Sequence, residues 1–193
     1  MRFNAVMKLK FACWILVLSP LVWLIYVLYT GQLSADPIKD IQHFTGRTAI
    51  RFILLTLLLS PLGRFRLFLL VNRIKRLIGL SAFFWASLHI FTYFSLELAF
   101  DLPLFLEEVI SRNYLIIGFI SWLGLFALAI TSPKFAMRLL KKNWKRLHSC
   151  IYIFALLAAT HYLMSLKLPT IYPIVYLLLF IFLWGGHFYR RFK

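Results

Sequence analysis

The stretch RLHSCIYIFALLAATHYLMSLK, Arg146 to Lys167, decides the reading of this chain. Cations close it at both ends. Between them lie about 20 mostly apolar residues, the length a helix needs to cross a hydrocarbon layer about 30 Å thick. The stretch also holds two histidines, His148 and His161. An imidazole at such a depth is costly in lipid, so it calls for a hydrogen-bond partner, a ligand or a proton path.

The rest of the chain repeats the pattern. Of its 193 residues 62% are hydrophobic and 18% aromatic, with a mean hydropathy of +0.84, well outside the balance of soluble domains. Apolar runs of spanning length fall at roughly 9–29, 47–63, 76–99, 114–131, 146–166 and 170–189. The second is the weakest, with Arg51 near its start and Pro61 near its end. Ten-residue alternating segments, the mark of a membrane barrel, are absent, and only helices or closed barrels satisfy the backbone in lipid. The expectation is an all-α integral membrane protein, a six-helix transmembrane bundle forming one domain over 1–193. The first run is too long for a signal-peptide core and reads as a retained anchor, kinked at Pro20.

Net charge is +16, from 22 Lys and Arg against 6 Asp and Glu, a balance that by itself suggests nucleic acid. Its distribution says otherwise. Three cations precede the first run, five lie between the second and third (Arg64, Arg66, Arg73, Lys75, Arg76), six between the fourth and fifth, and three close the chain. These seventeen share one side of a six-crossing bundle. All six acids, Asp36, Asp40, Glu97, Asp101, Glu107 and Glu108, fall on the other. The positive-inside rule then makes both termini cytoplasmic and the acidic loops external, with membrane lipid rather than nucleic acid as the surrounding partner.

That orientation fixes depth. At 1.5 Å per residue His148 lies about 3 Å into the fifth run and His161 about 22 Å, while His89 lies about 20 Å into the third. His89 and His161 therefore share a level in the outer half of the membrane. Two neutral imidazoles at one depth on neighbouring helices meet the requirement for bis-histidine ligation of a haem. A proton or substrate path through the same side chains is the competing reading. Cys13 and Cys150 match no CxxC or metal spacing and read as inert buried thiols. The glycines form no GxGxxG, so a dinucleotide-binding domain is not expected. Lys75 and Arg76 precede the third run, where a helix N-terminus favours an anion; the same residues also serve as positive-inside anchors at lipid headgroups. His187 lies near the inner end of the last run, at the interface. Halves 1–100 and 101–193 show no convincing internal repeat, which speaks against a small proton-coupled transporter.

DPIKDIQHFTGRTAIRF (Asp36 to Phe52), WASLHIFTYFSLEL, ISWLGLFALAITS and NWKRLHSCIYIFALLAATHYL together resemble the MsrQ family, formerly YedZ, over essentially the whole chain. These are haem membrane subunits within the ferric reductase-like transmembrane group. The resemblance implies that His89 and His161 are axial ligands of b-type haem, and it implies a role for His148 as a possible further ligand. It implies FMN as a second cofactor, which the cations Lys75 and Arg76 suit. It also implies electron flow from the quinone pool or a cytosolic flavin reductase, across the bacterial inner membrane, to a periplasmic molybdopterin methionine sulfoxide reductase. The chain would then be an electron-transfer subunit rather than the catalytic one. On that reading Asp36, Asp40, His43 and Arg47 belong to an outer docking surface, and His43 is either a docking or haem-edge residue or an ordinary loop histidine. A self-contained cytochrome that reduces metal ions or quinone is the alternative. The two-haem members of the group pair two histidines on each of two helices. Here the third run carries His89 alone, and the position level with His148 is near Arg76.

Overall fold

The fold is described from a computed structural model, covering residues 2–62, 71–166 and 170–189. Arg64, Arg66, Lys167, Arg190, Arg191 and Lys193 lie outside the described residues. Within them the chain is helical and contains no strand. The helices are α1 (Arg2–Thr30), α2 (Pro37–Leu62), α3 (Val71–Thr92), α4 (Leu102–Ser111), α5 (Asn113–Ile130), α6 (Lys134–Leu140), α7 (Lys142–Ser149), α8 (Ile151–Ser165) and α9 (Ile171–Tyr189), with a π-helical turn over Tyr93–Glu97 after α3. By contacts the chain falls into two compact units, Met1–Phe100 and Asp101–Lys193.

In the first unit α2 and α3 form an antiparallel hairpin, since Gly46 faces His89 while Gly79 faces Thr56, and α1 packs on α3. α2 begins ten residues before the expected apolar run. Asp36 caps it by accepting from Lys39 N at 3.2 Å, and Pro37 takes the first helical position, where its missing N–H costs nothing. The hairpin core is Thr45, Ala49, Ile53 and Leu57 from α2 against Ile78, Ala82 and Trp85 from α3, spacings that keep one helical face inward.

In the second unit α5 and α8 form a like hairpin, and α9 packs on α8. Small residues line the seam: Ser121 and Gly124 on α5, Ala155 and Ala159 on α8, all buried. Lipid offers no hydrophobic drive for helices to pair, so close backbone approach and interhelical hydrogen bonds hold them. Ser121 Oγ donates such a bond to Phe154 O at 2.9 Å. The span expected at 146–166 falls on one helical stretch of spanning length, Lys142–Ser165, in which the single turn residue Cys150 separates α7 from α8. α4 was hidden in a loop. Asp101 caps it, accepting from Leu104 N at 2.9 Å, and its Glu108 pairs with Arg112 at 2.7 Å.

Large apolar side chains stand outward from these helices: Phe182 is 77% exposed, Phe11 69% and Leu178 60%. Soluble proteins avoid such surfaces, whereas lipid solvates them. Five helical stretches among the described residues have the length and hydropathy to cross a membrane: Met7–Thr30, Ile74–Glu97, Asn113–Ile130, Lys142–Ser165 and Ile171–Tyr189. The chain is a membrane protein. The expected sixth crossing is not among the five; α2 carries Lys39, Asp40, Arg47 and Arg51, and its early polar turns dilute its apolar length.

Candidate functional site

His89 sits near the end of α3, against α2. Its Nδ1 is 3.1 Å from Gln42 O and 3.2 Å from Thr45 Oγ1. A carbonyl can only accept, so the proton is on Nδ1. The Thr45 hydroxyl gives its single proton to Ile41 O at 2.8 Å and receives the second branch of the imidazole N–H. This assigns the tautomer: the ring's lone pair is on Nε2.

His161 on α8 repeats this against α5. Its Nδ1 is 2.7 Å from Tyr114 O, which again puts the proton on Nδ1 and the lone pair on Nε2. In each case the accepting carbonyl lies 47 positions before the histidine. In each case a glycine four residues beyond that carbonyl faces the ring. A Cβ on Gly46 would come within 3.2 Å of His89 Cε1, and one on Gly118 within 2.6 Å of His161 Nδ1.

This is the arrangement a metal-ligating histidine needs. Donation from one ring nitrogen to a backbone carbonyl fixes the tautomer and ring plane and makes the other nitrogen more basic. Among the described residues no three His, Cys, Asp or Glu side chains converge on a metal site. Each seat by itself presents an oriented imidazole of the kind that can ligate a haem iron.

His148 differs. Its Nε2 is 3.1 Å from Thr131 Oγ1, whose own proton goes to Ala127 O at 2.7 Å, so His148 donates from Nε2. Its lone pair is on Nδ1, the opposite tautomer. Trp144 stacks on the ring at 4.1 Å and donates Nε1–H to Thr131 O at 2.9 Å. His187 on α9 stacks on Tyr152 at 4.6 Å. Lys75 and Arg76 are not ahead of a helix. α3 starts at Val71, so they occupy its second turn, past the unpaired N–H groups on which the anion argument rested.

The expected docking residues hold the start of α2 together. Asp36 is its cap. The Asp40 carboxylate accepts from Ser34 N at 2.7 Å, and that hydrogen bond holds its pKa below the ordinary carboxylate value. Arg47 Nε donates to His43 O at 3.0 Å. Partial burial, then the cations Arg47 and Lys39, push the His43 imidazole below its ordinary pKa. Sequence reasoning missed the seats themselves: Gln42 and Tyr114 as acceptors, Thr45, Gly46 and Gly118. A signal was present. Gly46 and Gly118 each precede their histidine by 43 positions, and Ser-Pro pairs at 60–61 and 132–133 fall at the same offset of 72.

Fold and site together define a class, helical membrane proteins whose paired helices each present one oriented imidazole. The family model described as the ferric reductase like transmembrane component matches residues 45–159. The heme-binding subunits MsrQ of protein-methionine-sulfoxide reductase from Salmonella arizonae, Salmonella enteritidis and Salmonella newport are each 50% identical over 175 residues, covering 90% of this chain and 87% of theirs. The chain belongs to the MsrQ family of ferric reductase-like membrane proteins. No solved structure matches it.

Proposed function

We propose that this chain is a haem-binding electron-transfer subunit serving a periplasmic methionine sulfoxide reductase of the molybdopterin type, with His89 and His161 as the axial ligands of a b-type haem. The observation that carries the reading is the matched pair of seats, each with Nδ1–H on a backbone carbonyl and the lone pair on Nε2. Haem so held supplies one-electron chemistry between ferric and ferrous iron. The protein's part is to orient both imidazoles, exclude water with apolar helices and keep the seats rigid on packed hairpins. The placement is the bacterial inner membrane with both termini cytoplasmic, on the strength of the charge distribution. Electrons enter from the quinone pool or a cytosolic flavin reductase and leave toward the acidic outer loops, where Asp36, Asp40, His43 and Arg47 lie.

The test is spectroscopic and kinetic. Purified protein should show low-spin bis-histidine haem bands that respond to dithionite. Mixed in stopped flow with an oxidised periplasmic methionine sulfoxide reductase and its substrate, the reduced protein should reoxidise faster than in buffer. Equal rates would leave the self-contained cytochrome as the better account, and absence of haem would favour a proton path. A flavin is the second cofactor of the proposal, resting on the charge of Lys75 and Arg76 in the second turn of α3. Released FMN on denaturation, diminished in Lys75→Ala/Arg76→Ala, is its check.

A further inference from the structure

We infer that Gly118 and Gly46 are positioning residues, which set the plane of the two imidazoles by letting each ring lie against a bare Cα. The inference rests on the ligation proposed above. Glycine at a membrane helix seam ordinarily serves close backbone approach. Gly124 is of that ordinary kind, since a Cβ there would collide with the Phe154 ring. At Gly118 the neighbour is the ligand itself. A Cβ would lie 2.6 Å from His161 Nδ1, 2.8 Å from Cε1 and 2.9 Å from Cγ. Those separations are too short for real atoms, so the ring must move.

It has little room to do so without cost. The hydrogen bond to Tyr114 O, 2.7 Å long, holds one edge of the ring, while the open face of Gly118 receives its flank. A shift large enough to clear a Cβ lengthens that bond or turns the imidazole about it, and either redirects Nε2. Axial ligands must be held within about 0.5 Å and 10–20° to work as built. At Gly46 the clearances are 3.2, 3.3 and 3.5 Å to three atoms of His89, a seat that a Cβ crowds by only tenths of an ångström. There Gln42 O and Thr45 Oγ1 both hold the ring edge.

The experiment compares full-length Gly118→Ala, Gly46→Ala and Gly124→Ala, purified in detergent, with wild type and His161→Ala. Haem per protein and the electron paramagnetic resonance signal of the ferric low-spin iron are measured. Gly118→Ala should lose haem several-fold or shift the low-spin signal of what remains. Gly46→Ala should keep its haem with a smaller shift. Gly124→Ala should lower the yield of folded protein and leave the signal of its haem unchanged, because it disturbs the same helix pair through a phenylalanine. A wild-type signal and haem content in Gly118→Ala overturns the inference, as does a shift in Gly124→Ala as large as that in Gly118→Ala. Should Gly118→Ala fail to accumulate, an unshifted signal in Gly46→Ala overturns it. Full, unchanged haem in His161→Ala instead overturns the ligation on which the inference rests.

Discussion

The hairpin of α2 and α3 and that of α5 and α8 solve one problem with different materials. His89 is held by two acceptors, a carbonyl and a hydroxyl, beside a glycine that leaves 3.2 Å. His161 donates to Tyr114 O at 2.7 Å, beside a glycine where an added Cβ would come within 2.6 Å of the ring. The two hairpins part at their other ends. Thirteen positions before each histidine stand Arg76, exposed on α3, and His148, held between Trp144 and Thr131. Oriented imidazoles thus recur at an offset of 72, but a second histidine thirteen positions earlier occurs in one case only.

If the two seats are equivalent in role, removing either imidazole should have the largest effect of any change. Iron without a strong axial nitrogen does not keep b-type haem, so His89→Ala and His161→Ala should each abolish or sharply reduce haem content. His187→Ala should leave it near normal, and His148→Ala should leave the signal of the His89 and His161 haem in place. Loss in one of the two seats and full retention in the other would break the equivalence.

The hydroxyl is the sharper probe of the difference. Thr45 is fully buried, and its Oγ1 withdraws proton density from Nδ1, which would make the ring a stronger donor to the iron of the proposed haem. Thr45→Val keeps the shape and removes the acceptor. A net hydrogen bond is worth about 0.5–1.5 kcal/mol, which for a one-electron couple corresponds to at most about 60 mV. The midpoint potential should therefore rise, by up to that amount, in a redox titration. A fall in potential would mean that Thr45 donates rather than accepts.

A weaker effect belongs to the α5–α8 seam. Ser121→Ala deletes the bond to Phe154 O and should cost about 0.6 kcal/mol, the mean for such interhelical bonds, read as a small drop in thermal midpoint in detergent with an unchanged haem signal. A shifted signal would show that the seam and the seat are one mechanical element.

Apolar length and the positive-inside pattern were enough to read a helical membrane protein and to single out the three histidines. Boundaries were harder. α2 starts in a polar stretch, where an Asp-Pro cap rather than hydropathy marks the first turn, and α4 is a ten-residue amphipathic helix, too short for any spanning pattern. The turn at Cys150 between α7 and α8 carries neither proline nor glycine to announce it. The seats were out of reach for another reason. Backbone carbonyls leave no trace in a sequence, and a glycine matters here only through the ring it faces on another helix. The fixed spacing from glycine to histidine was visible, yet it acquires meaning only when both hairpins show the same contact.

The smallest predicted difference comes from pH, and it concerns the α2 side alone. His43 follows the residue whose carbonyl holds His89, while the corresponding turn of α5, NYLIIG from Asn113, contains no group that titrates between pH 5 and 7. Partial burial and the neighbouring Arg47 and Lys39 depress the His43 pKa below 6.5 in the folded chain. Above pH 6.5 the imidazole is neutral in folded and denatured chains, so it adds no pH dependence. As the pH falls below 6.5 the denatured chain takes up the proton first, and stability declines until the folded chain's lower pKa is passed. Asp40 does not blur this window, because its pKa is lowered from 3.8 and its stabilisation is lost only at more acid pH. The quantity to read is the difference between thermal midpoints of wild type and His43→Gln, measured from pH 7.5 to 5. The two curves should run together above pH 6.5 and separate below it, with the glutamine variant the flatter. Curves that stay parallel throughout would show that His43 is as solvated in the folded protein as in the denatured one, and that the two hairpins do not differ in this respect.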